Sequence, residues 1–169
     1  MQLPHNHLQG AGCPICAMSI VSSKSEKELY KFVKELHKDT INNDRKILKG
    51  KEIDVYVPSK KLGIEYHGLY WHQESIVGKD YHLDKLNLAT NAGVELIQIF
   101  EDEWLNKKDI VKSILRARLD KSKRNIYGRQ TTVKEVTQSE ARLFLDANHL
   151  QGKLNSKINI GLYYKEELV

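Results

Sequence analysis

The sequence predicts an α/β fold, a mixed central sheet flanked by helices, and three observations carry that prediction. Residues 53–57 and 62–66 are apolar-rich runs separated by Pro58-Ser59-Lys60-Lys61, the composition of a β-hairpin. Upstream, Leu29, Phe32, Val33 and Leu36 recur at i, i+3, i+4 and i+7, the spacing of one buried helical stripe. Downstream, a helical stretch over residues 80–92 ends at Gly93 and leads directly into the apolar run 94–100.

The elements follow in order. Residues 1–20 hold both cysteines, as Gly12-Cys13-Pro14-Ile15-Cys16 after His5-Asn6-His7. Cys-x-x-Cys is half of a tetrahedral zinc site, so Cys13 and Cys16 are candidate Zn²⁺ ligands, with two free thiols as the alternative. The first helix is expected to open at residues 22–25, because Ser25-Glu26-Lys27-Glu28 matches a capping box. Glu26 then projects from the inward side near the helix start, where it either complements the helix dipole or serves a site. Residues 40–44 read as a loop, 45–49 as a first strand, and Gly50-Lys51 as the turn into the hairpin. The run 94–100 is too apolar for exposure on both faces and is expected to lie centrally in the sheet. A further helix carries Ile110, Val111, Ile114 and Leu115 as its buried stripe. In the last forty residues, 131–136 read as a strand, 138–145 as a helix and 157–169 as one or two strands.

A chain of 169 residues with 40% apolar content suits one ordinary core with extensions. No apolar run approaches membrane-spanning length and the start lacks a signal-peptide pattern, so no membrane partner and a cytoplasmic location are expected. The net charge of +5 is unevenly spread. Residues 104–129 hold nine Lys or Arg against two Asp, while the rest is slightly acidic. Lys107, Lys108, Lys112, Arg116, Arg118, Lys121, Lys123, Arg124 and Arg129 therefore form a candidate phosphate-contacting arm. A merely solvated helix face is the other reading of such a run.

The hairpin concentrates the chemistry. Strict alternation puts Ile53, Val55 and Val57 on one face and Glu52, Asp54 and Tyr56 on the other. If Val57 faces Leu62 across a tight turn, antiparallel pairing sets Asp54 opposite Glu65, with Cβ atoms about 5 Å apart. Two carboxylates at that separation repel each other unless a shared proton, a basic side chain or a bound cation compensates. A divalent metal is the natural occupant. Beyond the strand, His67 and His72 can converge on the acids from either side of Gly68, whose freedom permits a sharp departure.

The order α, β, β, β, α, β, with an Asp on one central strand and Glu-x-His on the next, resembles the PD-(D/E)XK nuclease core. Within it the chain is most similar to the Vsr-like branch: the very-short-patch-repair endonucleases and, more closely, phage-encoded homing endonucleases of the EDxHD type. Ser25-Glu26-Lys27-Glu28-Leu29, Glu52-Ile53-Asp54, Ile64-Glu65-Tyr66-His67-Gly68-Leu69-Tyr70-Trp71-His72 and residues 93–104 carry the likeness. The resemblance implies a Mg²⁺ (or Mn²⁺)-dependent endonuclease acting on double-stranded DNA in a bacterial or phage-infected cell. It implies Asp54 as a metal-binding aspartate, Glu26 as the helix acid, His72 as general base and His67 as a second histidine. The carbonyl of Tyr66 would help hold the metal, and Asp84, or Asp80, would be the last acid. His67 stands where the superfamily's motif has lysine. The implied organisation is a partial zinc-ribbon-like segment (1–20), a nuclease domain (21–120), then a basic linker and the start of a second, truncated domain (121–169). A non-catalytic DNA-binding regulatory or architectural protein is the alternative from another class, and a nuclease directed at RNA or at junctions is a third reading.

Overall fold

The structure, a computed structural model, describes residues 14–68 and 81–169, with side chains from Lys24 and from Leu83 onward in the two stretches. The elements are α1 (Pro14–Leu36), β1 (Ile41–Leu48), β2 (Lys51–Val57), β3 (Leu62–His67), α2 (Tyr81–Asn91), β4 (Glu95–Phe100), α3 (Glu101–Asn106), α4 (Lys108–Arg118), β5 (Thr132–Glu135), α5 (Gln138–Asn148), β6 (Ile160–Tyr164) and β7 (Glu167–Leu168). The chain divides between Leu105 and Asn106 into two units.

The first unit is a mixed α/β fold around a four-stranded sheet ordered β1-β2-β3-β4. The first three strands are antiparallel neighbours, and β4 runs parallel to β3. The predicted hairpin forms as expected. Val57 pairs with Leu62, and the chain reverses through a 3-10 turn over Pro58–Lys60 that closes on Lys61 at φ 48°. The β1–β2 turn likewise uses positive φ, at Lys49 (52°) and Gly50 (101°), where glycine adopts the larger angle without strain. Helix α2 supplies the connection that a parallel pair requires. It ends with Gly93 at φ 69°, and the Gly93 and Val94 amides donate to the Thr90 and Ala89 carbonyls at 3.0 and 2.9 Å. That is a Schellman closure. Its hydrophobic pair, Val94 and Ala89, joins Leu48, Ile53 and Tyr56 in one buried cluster.

Four expectations need correction. Helix α1 begins at Pro14 and runs through Ser25, so residues 25–28 are helix interior rather than a cap. Pro14 suits a first helical position, and nothing between it and Ser25 breaks a helix. Strand β1 starts at Ile41, through residues whose turn chemistry is expressed inside the strand. Asn43 takes φ 53°, and Asp44 Oδ1 accepts from the Lys46 and Ile47 amides at 3.1 and 3.0 Å, within the span where the register with β2 shifts. Strand β4 is an edge of the four-stranded sheet, not a central strand. On α4, Val111 and Leu115 are buried but Ile114 is 37% exposed, so the stripe is narrower than predicted; the short α3, with its buried Trp104, precedes it.

In the second unit β5, β6 and β7 form a three-stranded antiparallel sheet, with α5 connecting β5 to β6. Thr137 caps α5 by accepting from the Glu140 amide at 3.2 Å. Among the described residues no helix is long and apolar enough to cross a membrane.

Candidate functional site

The hairpin register runs Val57↔Leu62, Tyr56↔Gly63, Val55↔Ile64 and stops there, one step short of Asp54 and Glu65. Asp54 and Glu65 are therefore not backbone partners in that register. In place of a backbone pair, Asp54 Oδ2 accepts the Tyr66 amide at 2.7 Å. The register is the predicted one as far as Val55↔Ile64, and beyond it Asp54 reaches β3 through the amide of Tyr66, the residue after Glu65.

Glu65 is 3% exposed, and its Oε2 accepts from the ammonium of Lys85, itself 7% exposed. Its other oxygen, Oε1, is buried with no hydrogen-bond partner among the described residues. Burial, then the neighbouring Asp54 charge, pushes the Glu65 carboxyl up to about 7, although Lys85 and the Asp54 amide pull it down. Asp54 is raised mainly by burial, with Glu52 adding to the rise and the Tyr66 amide and Lys85 opposing it. Glu26, half-buried on α1, is raised by burial and then by Asp54 and Glu52. Three elements thus direct carboxylates at one region. The fourth acid, Glu52, is committed elsewhere, its Oε1 to Asn43 Nδ2 at 2.9 Å and its Oε2 to Arg45 Nε at 2.7 Å.

Of the other predicted residues, Tyr66 contributes the amide that holds Asp54. His67 ends β3, with its ring 5.5 Å from that of Phe100 and tilted by 34°. Asp84 is exposed on α2. His72, Asp80 and Cys13 lie outside the described residues, as does the side chain of Cys16, whose backbone is in α1. Within the second unit, Lys107 donates to the Asp146 carbonyl at 2.8 Å. Lys108, Lys112 and Arg116 are half-buried, whereas Arg118, Lys121, Lys123, Arg124 and Arg129 are exposed. Arg124 pairs with Glu167 at 2.9 Å and lies over the Tyr164 ring, and Arg129 lies over Tyr127.

Lys85 is the residue that sequence reasoning missed. It sits one position after Asp84, and with Leu88 and Ala89 it makes an i, i+3, i+4 inward stripe, while Leu83, Asp84, Leu86 and Asn87 are exposed. That spacing is the signal that could have found it. Lys85 supplies the basic side chain, one of the three compensations expected for paired acids.

The donor set bears on which ion could bind. Among the described residues no three His, Cys, Asp or Glu side chains are disposed to hold one metal. Two hard carboxylates, one with a buried oxygen that has no partner among the described residues, suit Mg²⁺ or Mn²⁺, which keep most of their water and need only one or two protein carboxylates.

No family model matches the chain, and no curated protein or solved structure matches it.

Proposed function

We propose that the chain is a metal-dependent endonuclease of the PD-(D/E)XK type, hydrolysing phosphodiester bonds of double-stranded DNA. The observation that carries this reading is the buried Oε1 of Glu65, without a hydrogen-bond partner among the described residues, beside a raised Asp54 carboxyl, where an apolar core would place neither acid. The order α1-β1-β2-β3-α2-β4, with one parallel pair at the end of the sheet, supports the same assignment.

In this reading Asp54 and Glu65 would hold the ion, and the Tyr66 amide restrains Asp54 against rotation. When bound, Mg²⁺ or Mn²⁺ supplies a Lewis acid at the scissile phosphate. Glu26 orients water from the helix side. His72, with an intrinsic pKa of about 6.5, accepts the proton of the attacking water, and His67, if protonated, would stabilise charge on the phosphate. The basic residues of α4 and the following segment bind the DNA backbone without reading sequence.

A plasmid-nicking assay tests the proposal. Mg²⁺-dependent relaxation of supercoiled DNA that is lost in Asp54→Asn and in EDTA is the expected result; no nicking under any divalent ion would overturn it. One observation favours a second reading. Lys85 already neutralises Glu65, so the acid pair can persist without an ion, as in a DNA-binding protein with no catalysis. DNA retention by the wild-type protein, indifferent to EDTA and with no strand scission, is what that reading expects.

A further inference from the structure

Lys85 occupies an inward helical position that packing alone would give to an apolar residue, and its ammonium ends on one oxygen of one carboxylate. A buried ion pair of this kind adds little net stability over a well-packed apolar pair, because both charges are desolvated. The pair does fix geometry. With Oε2 of Glu65 held by Lys85, one carboxylate oxygen is fixed in place, and Oε1 is left buried and unpaired among the described residues. Asp54 is constrained in the same manner, with Oδ2 on the Tyr66 amide. Each acid therefore has one oxygen committed to the protein.

We propose that Lys85 is a positioning residue: it grips Oε2 of Glu65 so that Oε1 is presented, beside Asp54, as a ligand oxygen for a divalent cation. This rests on the reading of the acid pair as a metal site. The lysine and the ion use different oxygens, so they do not compete for the same atom. Partners that orient metal-ligating side chains in this way commonly change metal affinity by about 10- to 100-fold when removed.

The test is Mn²⁺ binding to the full chain, followed by the loss of the free-ion electron paramagnetic resonance signal, with far-UV circular dichroism melting on each variant. Lys85→Met keeps the unbranched stem and removes the ammonium. It is expected to fold and to bind Mn²⁺ about 10- to 100-fold more weakly, while Asp54→Asn loses the site. A folded Lys85→Met protein that binds Mn²⁺ like wild type, with Asp54→Asn still defective, overturns the role of Lys85 and leaves the metal site standing. Asp54→Asn binding like wild type overturns both. The unmodified protein provides an independent measurement. Amine-reactive labelling read by mass spectrometry is expected to find Lys85 protected both without and with saturating Mn²⁺. Labelling that rises when the ion binds would mean displacement of the lysine and would overturn the proposal.

Discussion

The Tyr66 amide donates to Oδ2 of Asp54 at 2.7 Å, a side chain standing in for the ladder bond that the β2–β3 hairpin no longer makes beyond Val55↔Ile64. The acceptor is thereby held between two strands. Asparagine keeps a carbonyl oxygen for that amide, so Asp54→Asn should preserve the fold while removing the negative charge. A melting temperature close to wild type, DNA affinity within a few-fold and nicking reduced by at least about 100-fold are expected. Melting and nicking assays on the same preparation check this.

Stability should fall as pH rises through the acidic-to-neutral range. Glu65 titrates at about 7 in the folded chain, above its ordinary 4.5. Between those values the folded state holds a proton that the unfolded state has released, so raising pH favours unfolding, by up to about 1.4 kcal/mol per pH unit for one proton. Asp54 and Glu26 are raised too and act in the same direction. Glu65→Gln should flatten the dependence over this window, which urea unfolding at several pH values would measure; an unchanged slope would contradict the assignment to Glu65.

Gly63 pairs with Tyr56 and with Leu96, and a Cβ there would meet Leu96 Cδ1 at 2.8 Å and Ile53 Cγ2 at 3.1 Å. Leu96 can swing part of the way aside; Ile53 is fully buried. Gly63→Ala should therefore cost about 1–3 kcal/mol, read as a lower urea midpoint with an unchanged slope.

Much of this arrangement was legible in the sequence, for definite reasons. Period-two alternation and Pro58 located the hairpin and its Val57↔Leu62 pairing, and Gly93 located the end of α2. Local signals misled where a longer context won. Ser25 and Glu28 have cap chemistry but lie in a helix already under way, and Asn42, Asn43 and Asp44 are turn formers carried inside β1, with Asn43 at φ 53° and the register shift against β2 coming after Asp44. An apolar run such as 95–100 cannot by itself distinguish a central strand from an edge. Alternation predicted that Asp54 would approach Glu65, but not that its side chain would accept the Tyr66 amide. Lys85 was invisible as chemistry because a lysine in an amphipathic helix is ordinarily solvated, and only its spacing with Leu88 and Ala89 betrays an inward position.

The exposed basic residues after α4 should act as phosphate contacts. Lys121 and Lys123 are exposed, so replacing both by Ala should leave folding unaffected. Each phosphate contact contributes a slope of about 0.9 in log K against log salt, so the double variant should lose roughly 2 units of slope with no change in sequence preference. Fluorescence anisotropy on labelled duplexes across a salt series measures it.

The most direct measurement is an anomalous difference map from crystals soaked in Mn²⁺. A peak bonded at about 2.1 Å by Asp54 and by Oε1 of Glu65, with Lys85 still on Oε2, is the predicted result. A map without a peak at these carboxylates at saturating Mn²⁺, or with one bound only elsewhere, would contradict the reading of Asp54 and Glu65 as a metal site.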